Sequence, residues 1–232
     1  MTTSLHLPPA AGPLAGNQAR TEDERANEPD ALPLGLIQMF SSAGSALPPM
    51  EQLQRRLVDE ARREDLIDIA YRTVDTPIGR LLLAATPKGM VRWAFALEDH
   101  DAVLADLAVR ISPRVLHTPR LFDEAAAQLE QYFAARRTRF ELPVDLRLTQ
   151  GFRRQVVEHL ADVAYGTTAS YGSIAVALGR PAAARAVGTA CARNPLPVLL
   201  PCHRVVRSDG SVGHYLGGTA AKHALLNLEG AT

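Results

Sequence analysis

Apolar and charged positions alternate along this chain in several distinct rhythms. Between Met50 and Asp65, Leu53, Leu57 and Ala61 recur every four residues amid charges, which predicts a short amphipathic helix near 50–65 whose apolar face can dock on the adjoining domain. Ile67–Val74, Arg80–Ala85 and Met90–Ala96 read as strands, and Thr76-Pro77-Ile78-Gly79 and Thr86-Pro87-Lys88-Gly89 read as the turns between them. The three strands are expected to form a small antiparallel meander. Helical patterns come next at His100–Arg110 and Leu121–Arg136, then an extended stretch at Phe140–Leu148. Beyond it the chain is mostly helical: an amphipathic helix at Gly151–Asp162, a second at Ser170–Leu178 with Ser170 as cap and Gly179 as terminator, and a third at Ala182–Arg193 after Pro181. The last two, joined at Gly179-Arg180-Pro181, make a helix-turn-helix candidate, although most tight helix pairs bind no DNA.

The pattern predicts an α+β protein: a small N-terminal module of antiparallel strands and helices, then a mainly helical domain. Residues 1–66 form an extension, rich in Pro, Ala, Gly, Asn and acidic residues up to about position 47 and expected to be largely disordered there. The α/β module is placed at 67–148 and the helical domain at 149–232. Overall charge balances, with 25 basic and 25 acidic residues, and excludes nothing. Residues 151–232 are basic, however: Arg153, Arg154, Arg180, Arg185, Arg193, Arg204, Arg207 and Lys222 stand against Glu158, Asp162, Asp209 and Glu229. That surplus suits a polyanionic partner. No basic n-region or unbroken apolar stretch opens the chain, and no window suggests a membrane span, so a soluble, cytoplasmic protein without a signal peptide or membrane attachment is expected. Two cysteines are too few for a disulfide framework and form no Cys-x-x-Cys pair, so no metal site is expected. Their spacing leaves a Cys191–Cys202 disulfide open, but a reducing compartment is the simpler assumption.

The chemistry concentrates at Pro201-Cys202-His203-Arg204-Val205. A thiol fixed by a proline, next to an imidazole and ahead of the Gly-rich Tyr215-Leu216-Gly217-Gly218, has the composition of a positioned nucleophile. Thiolate is the reactive form, and a neighbouring imidazole is expected to raise its population. A buried core cysteine that happens to precede a histidine is the plain alternative for the pair alone.

Tyr165-Gly166, Ser170-Tyr171-Gly172, Ala184-Arg185-Ala186-Val187-Gly188, Asn194-Pro195, Pro201-Cys202-His203-Arg204-Val205, Tyr215 and Glu229-Gly230 together resemble the O6-alkylguanine-DNA alkyltransferases, also called methylated-DNA–protein-cysteine methyltransferases, over residues 67–230. The resemblance implies direct-reversal DNA repair without a cofactor: a monomer binds double-stranded DNA holding an alkylated guanine, extrudes the base, and moves the alkyl group irreversibly, once per molecule, to Cys202. It implies that His203 takes the thiol proton through a water and that Glu229 orients the imidazole. By the same resemblance Asn194 ties the cysteine loop to the recognition helix, the Val205 backbone reads the exocyclic amine, and Tyr215 donates to the guanine ring. Tyr171 turns the nucleotide out and Arg185 fills the space it leaves. Ala183, Ala184 and Gly188 let the helix approach the minor groove closely.

Three positions depart from the family pattern. Leu216 adjoins the substrate pocket where some members carry a serine that donates to O6. Ala164 replaces a frequent proline, and His214 is an unusual neighbour expected to face solvent. A non-catalytic lesion binder of the same fold is the first competing reading, though such relatives lack the cysteine. A Cys-His hydrolase is the second, and it leaves Arg185 and Tyr171 without a role.

Overall fold

Leu81-Leu82-Leu83-Ala84 is apolar at every position, so neither face of the segment can be left to water. In the computed structural model, which describes residues 49, 50, 52, 53, 56, 60 and 67–231, this run lies in strand β2 (Leu81–Thr86), with all four side chains fully buried. The expected disorder of the first 47 residues, and most of the helix expected at 50–65, lie outside the described residues.

β2 pairs antiparallel with β1 (Ile69–Val74) on one side and β3 (Gly89–Phe95) on the other. Both connecting turns fall where the proline and glycine positions predict them. Gly89 is required twice over: its φ is +137°, and a Cβ there would stand 2.4 Å from the Pro143 carbonyl oxygen. The meander is incomplete as a description, because β4 (Val115–His117) pairs parallel with β1 and makes a mixed sheet in the order β3-β2-β1-β4. Three residues are too few for alternation to be read from sequence. Phe140–Leu148, expected to be extended, carries no strand; it meets the sheet at a single bridge between Val144 and Met90. Pro143, which has no N–H to donate, interrupts any longer ladder there.

Helix α1 (His100–Arg110) has the predicted limits, and the Asp99 side chain accepts from the backbone N–H groups of Asp101 and Ala102 at its start. Its buried Val103 and Leu107 cover one sheet face together with Ile69, Leu82, Ala84 and Val91. Helix α2 (Asp123–Phe133) is shorter than Leu121–Arg136 at both ends. Pro119–Phe122 forms a 3₁₀ turn ahead of it, and Ala135 at φ 53° breaks the helix after Phe133.

The second half holds α3 (Gly151–His159), continued by a 3₁₀ turn to Asp162, then α4 (Tyr171–Ala177), α5 (Ala184–Ala192) and α6 (Gly218–Glu229). Ser170 caps α4 by accepting from the Ser173 N–H at 2.9 Å, and Gly179 ends the segment at φ +70°. Pro181–Ala183 is a 3₁₀ turn ahead of α5, so that helix starts two residues later than expected. Ala169–Ser170 (β5) pairs parallel with Val205–Val206 (β6), which fastens the start of α4 beside the Cys-His-Arg turn. One apolar cluster runs through both halves, joining Trp93, Phe95 and Leu129 to Val156, Ile174, Val187, Leu200 and Leu225.

Candidate active site

The loop between α5 and the cysteine is made by one side chain. Asn194 is fully buried; its Nδ2 donates to the Leu200 carbonyl at 2.7 Å and its Oδ1 accepts from the Leu196 N–H at 3.0 Å. Leu200 N–H bonds back to Leu196 O, and Cys202 N–H to Leu200 O. Inside this closed turn Val198 sits at φ 71°, a left-handed conformation that a β-branched residue reaches at a cost of about 1–3 kcal/mol. The strain is held by the asparagine clamp, and it delivers Cys202 at the head of the short turn Cys202–Arg204.

Cys202 is only 3% exposed, and both cysteines are free thiols, so the pair forms no disulfide. Burial pushes the Cys202 thiol up to about 11, although a hydrogen bond from Asn194 and the charge of Lys222 pull the other way. Burial thus runs against the rise in thiolate population expected from the neighbouring imidazole: the resting sulfur is protonated, and the proton must be taken from it when it reacts.

The group placed to take it is His203, fully buried on the next residue. Its Nε2 lies 2.9 Å from Glu229 Oε1. Burial raises the Glu229 carboxyl, but hydrogen bonds from His203, Arg204 and Tyr132 outweigh this and hold it down at about 2. An ionised carboxylate can only accept, so Nε2 carries the hydrogen and Nδ1 carries the lone pair. Among the described residues Nδ1 has no hydrogen-bond partner. Desolvation also lowers the imidazole's own affinity for a proton, against the pull of Glu229, so His203 is neutral at pH 7. A neutral, oriented imidazole with a free lone pair is a general base.

Glu229 ends α6, where the helix dipole disfavours a negative charge. Arg204 offsets this, with Nε donating to Oε2 at 2.8 Å and Nη2 to Oε1 at 2.9 Å. Its Nη1 donates to Val163 O at 2.6 Å, and the Gly166 N–H reaches Oε2 at 3.4 Å. The sequence pattern marks Arg204 only as part of a motif. It gives no role at all to Lys222, although this fully buried lysine donates to the Val205 carbonyl at 2.5 Å and places its charge near both sulfurs. A signal was available: Lys222, Leu225, Leu226 and Glu229 have the i, i+3, i+4, i+7 spacing of one buried helical stripe.

Tyr215 is buried against Phe95 and His203, with ring centroids 5.5 and 6.4 Å away. Its hydroxyl has no partner among the described residues, an orphaned donor in the core that something else must satisfy. Leu216 is half-buried and lines a different space, a cavity of about 420 Å³ shared with Arg92, Glu98, Arg193 and Pro195. Val205 is fully buried. Tyr171 opens α4 with its hydroxyl 2.6 Å from where a Gly213 side chain would begin, so Gly213 makes room for it, while a Cβ at Gly188 would meet the ring at an ordinary contact distance of 3.9 Å. Arg185, Ala183 and Ala184 lie at the start of α5; the Arg185 side chain is exposed and makes no hydrogen bond or ion pair among the described residues. His214 is exposed. Among the described residues no cluster of three or more His, Cys, Asp or Glu could hold a metal, and no helix is long and apolar enough to cross a membrane.

Two family models match in succession: "6-O-methylguanine DNA methyltransferase, ribonuclease-like domain" over residues 69–146 and "6-O-methylguanine DNA methyltransferase, DNA binding domain" over 151–231. Among curated proteins the chain is 41% identical over 167 residues to the methylated-DNA–protein-cysteine methyltransferase of Mycobacterium bovis, covering 69% of this chain and 92% of that one. The protein of the same name from Methanosarcina barkeri is 38% identical over 159 residues, covering 68% and 96%. The crystal structure of Mycobacterium tuberculosis OGT in complex with DNA superposes with a TM-score of 0.61 at 38% identity, over 69% of this chain and 92% of that one. The matches span both halves of the described fold and include the thiol, the imidazole and the carboxylate. The chain therefore belongs to the O6-alkylguanine-DNA alkyltransferase family.

Proposed function

We propose that this protein repairs DNA by direct reversal, transferring an alkyl group from O6 of guanine to its own Cys202. One observation carries the reading: a neutral imidazole, aligned by a carboxylate, keeps a free lone pair on the residue that follows a protonated, desolvated thiol. As the sulfur attacks the alkyl carbon in line, the S–C bond forms and the C–O6 bond breaks. The thiol proton passes through a water to Nδ1 of His203. Tyr215 O–H keeps its proton and hydrogen-bonds the departing purine, which takes a proton by way of solvent to leave as guanine. The imidazolium gives one back, so His203 and Tyr215 both end neutral. Lys222 favours the developing thiolate by its charge. The product is a thioether that water does not cleave, so each molecule acts once.

The thiol's burial demands that the base come to it. Arg185, unpartnered and exposed on α5, suits a side chain that fills the stack after extrusion, and Tyr171 beside Gly188 and Gly213 suits the turning of the nucleotide. Ala183, Ala184 and Gly188 keep the α4–α5 face low enough to enter the minor groove as a helix-turn-helix. Asn194 holds the cysteine loop, the Val205 backbone reads the exocyclic amine, and Leu216, which lines a separate cavity, supplies no hydroxyl to the leaving oxygen. The domain boundary falls near residue 149, the active form is a monomer, and the free thiols suit a reducing compartment such as the cytoplasm.

The test is mass spectrometry after mixing with a duplex oligonucleotide carrying one O6-methylguanine. One methyl per molecule on the peptide containing Cys202, and none in Cys202→Ala, is the expected result. Label on Cys191 in that variant would overturn the assignment.

A further inference from the structure

The proton relay does not close within the C-terminal half. Tyr132 lies on α2, in the N-terminal module, and it is 1% exposed. Its hydroxyl donates to Glu229 Oε1 at 2.5 Å and stands 3.5 Å from His203 Nε2. The same oxygen takes the His203 donor at 2.9 Å and Arg204 Nη2 at 2.9 Å. Three donors therefore share one carboxylate oxygen, and the tyrosine makes the shortest of the three bonds. The phenol ring is fixed by Phe133, Phe140 and Tyr165, with centroids 5.3, 5.2 and 6.2 Å away. Burial and the charge of Glu229 raise the phenol far above its ordinary range, so it remains a donor at every working pH.

From this geometry we infer that Tyr132 is a positioning residue for the transfer, acting through Glu229 to set the basicity of His203. The inference rests on the repair reading. A donor to Oε1 withdraws electron density from the bond that the carboxylate makes with the imidazole, so the neighbouring imidazolium is less stabilised. The hydroxyl thus keeps His203 neutral and ready to accept a proton. The other groups facing the pair are fixed in charge or hydrogen-bonded. Arg204 is bound to both carboxylate oxygens, Lys222 donates to the Val205 carbonyl, Tyr165 donates to Leu228 O, and the Tyr215 ring stands edge-on to the imidazole. The N-terminal module, on this view, is part of the reaction as well as part of the core.

The test compares wild type, Tyr132→Phe and site-specific 3-fluorotyrosine at position 132, which keeps the ring and strengthens the donor. Two pH profiles are recorded: single-turnover methyl transfer from an O6-methylguanine duplex, and alkylation of Cys202 by iodoacetamide, read by mass spectrometry. Removing the hydroxyl should move the acid limb of both profiles upward by about half to one pH unit, and fluorination should move it downward. In a Glu229→Gln background the Phe substitution should shift nothing further. Superimposed profiles, or a uniform loss of rate with an unmoved midpoint, would overturn the role, since a structural contribution alone gives those. If Tyr132→Phe does not fold, the fluorotyrosine arm decides alone. Should wild type transfer no methyl while the iodoacetamide profiles still shift, the repair reading fails and the coupling of Tyr132 to His203 stands.

Discussion

The sheet module and the helical half differ in how many charges they bury together. Around the sheet Arg80–Asp75 at 2.8 Å is solvent-exposed and Arg114–Asp68 at 2.8 Å partly so, Arg92–Glu98 and the Asp145 end of Arg147–Asp145 are more sheltered, and Leu81, Leu82, Leu83 and Ala84 fill the interior. In the helical half, His203, Arg204, Lys222 and Glu229 are themselves in the interior. Burying ions is seldom the most stable solution, because desolvation offsets most of the attraction between them. In the sheet module Asp145 is the one buried charged residue among those described, and its partner Arg147 reaches solvent. The helical half retains a costly charge cluster because that cluster sets the protonation of a thiol and an imidazole.

The largest effect is expected of Glu229→Ala, which strands Arg204 and His203 without their acceptor. Loss of one member of a buried pair costs about 3–5 kcal/mol, so a large drop in urea midpoint is expected along with loss of methyl transfer. The same cluster contributes to the pH dependence of stability. His203 and Glu229 both have folded-state pKa values below their unfolded ones, of which 6.5 and 4.5 are the ordinary values. Each thus stabilises the protein above its unfolded value, and that contribution is lost on acidification. Urea midpoints should begin to fall below about pH 6.5 as unfolded His203 gains protons that the folded state resists, and fall again from 4.5 toward about 2 as Glu229 is protonated. Glu229→Gln should shrink the second fall, leaving the share of Asp68, Asp75, Asp145 and Asp209, whose carboxyls are also held low; an undiminished fall would assign all of it to them.

Leu83→Ala probes the contrast from the apolar side. It opens a void at a fully buried position of the central strand, for an expected loss of about 2–5 kcal/mol. Where the variant remains folded, the pH profile of Cys202 alkylation should match wild type, because no charge in the relay has changed. The smallest effect is expected of Asp75→Asn. Its exposed pair with Arg80 is screened by water and salt, so thermal midpoints of variant and wild type should coincide at about 0.15 M salt.

Several elements were legible because local chemistry marks them. α1 keeps its predicted limits, Ser170 caps α4, and Gly89 stands where only glycine fits. Where distant contacts governed the outcome, the pattern was silent. β4 is three residues long and is a strand only because β1 lies beside it. The extended stretch at Phe140–Leu148 makes one bridge in place of a ladder because Pro143 has no donor and Gly89 crowds against it. Among site residues, Cys202 and His203 are legible from motif and Glu229 only from the family resemblance, but the state of the thiol is not legible at all. A neighbouring imidazole suggests a thiolate, and burial reverses that sign.

An α+β chain, a nucleophile motif, a basic second half and the residues of an alkyltransferase can all be read from the order of amino acids. Those properties are encoded locally, in periodicity, turn chemistry and adjacent side chains. Which distant groups share the carboxylate is settled by folding in three dimensions. Tyr132 stands 97 residues before Glu229 in the chain, and Arg204 stands 25 before it. Hydrogen bonding at 2.5–2.9 Å depends on position in space, so no spacing along the chain could announce that the first module completes the second module's relay.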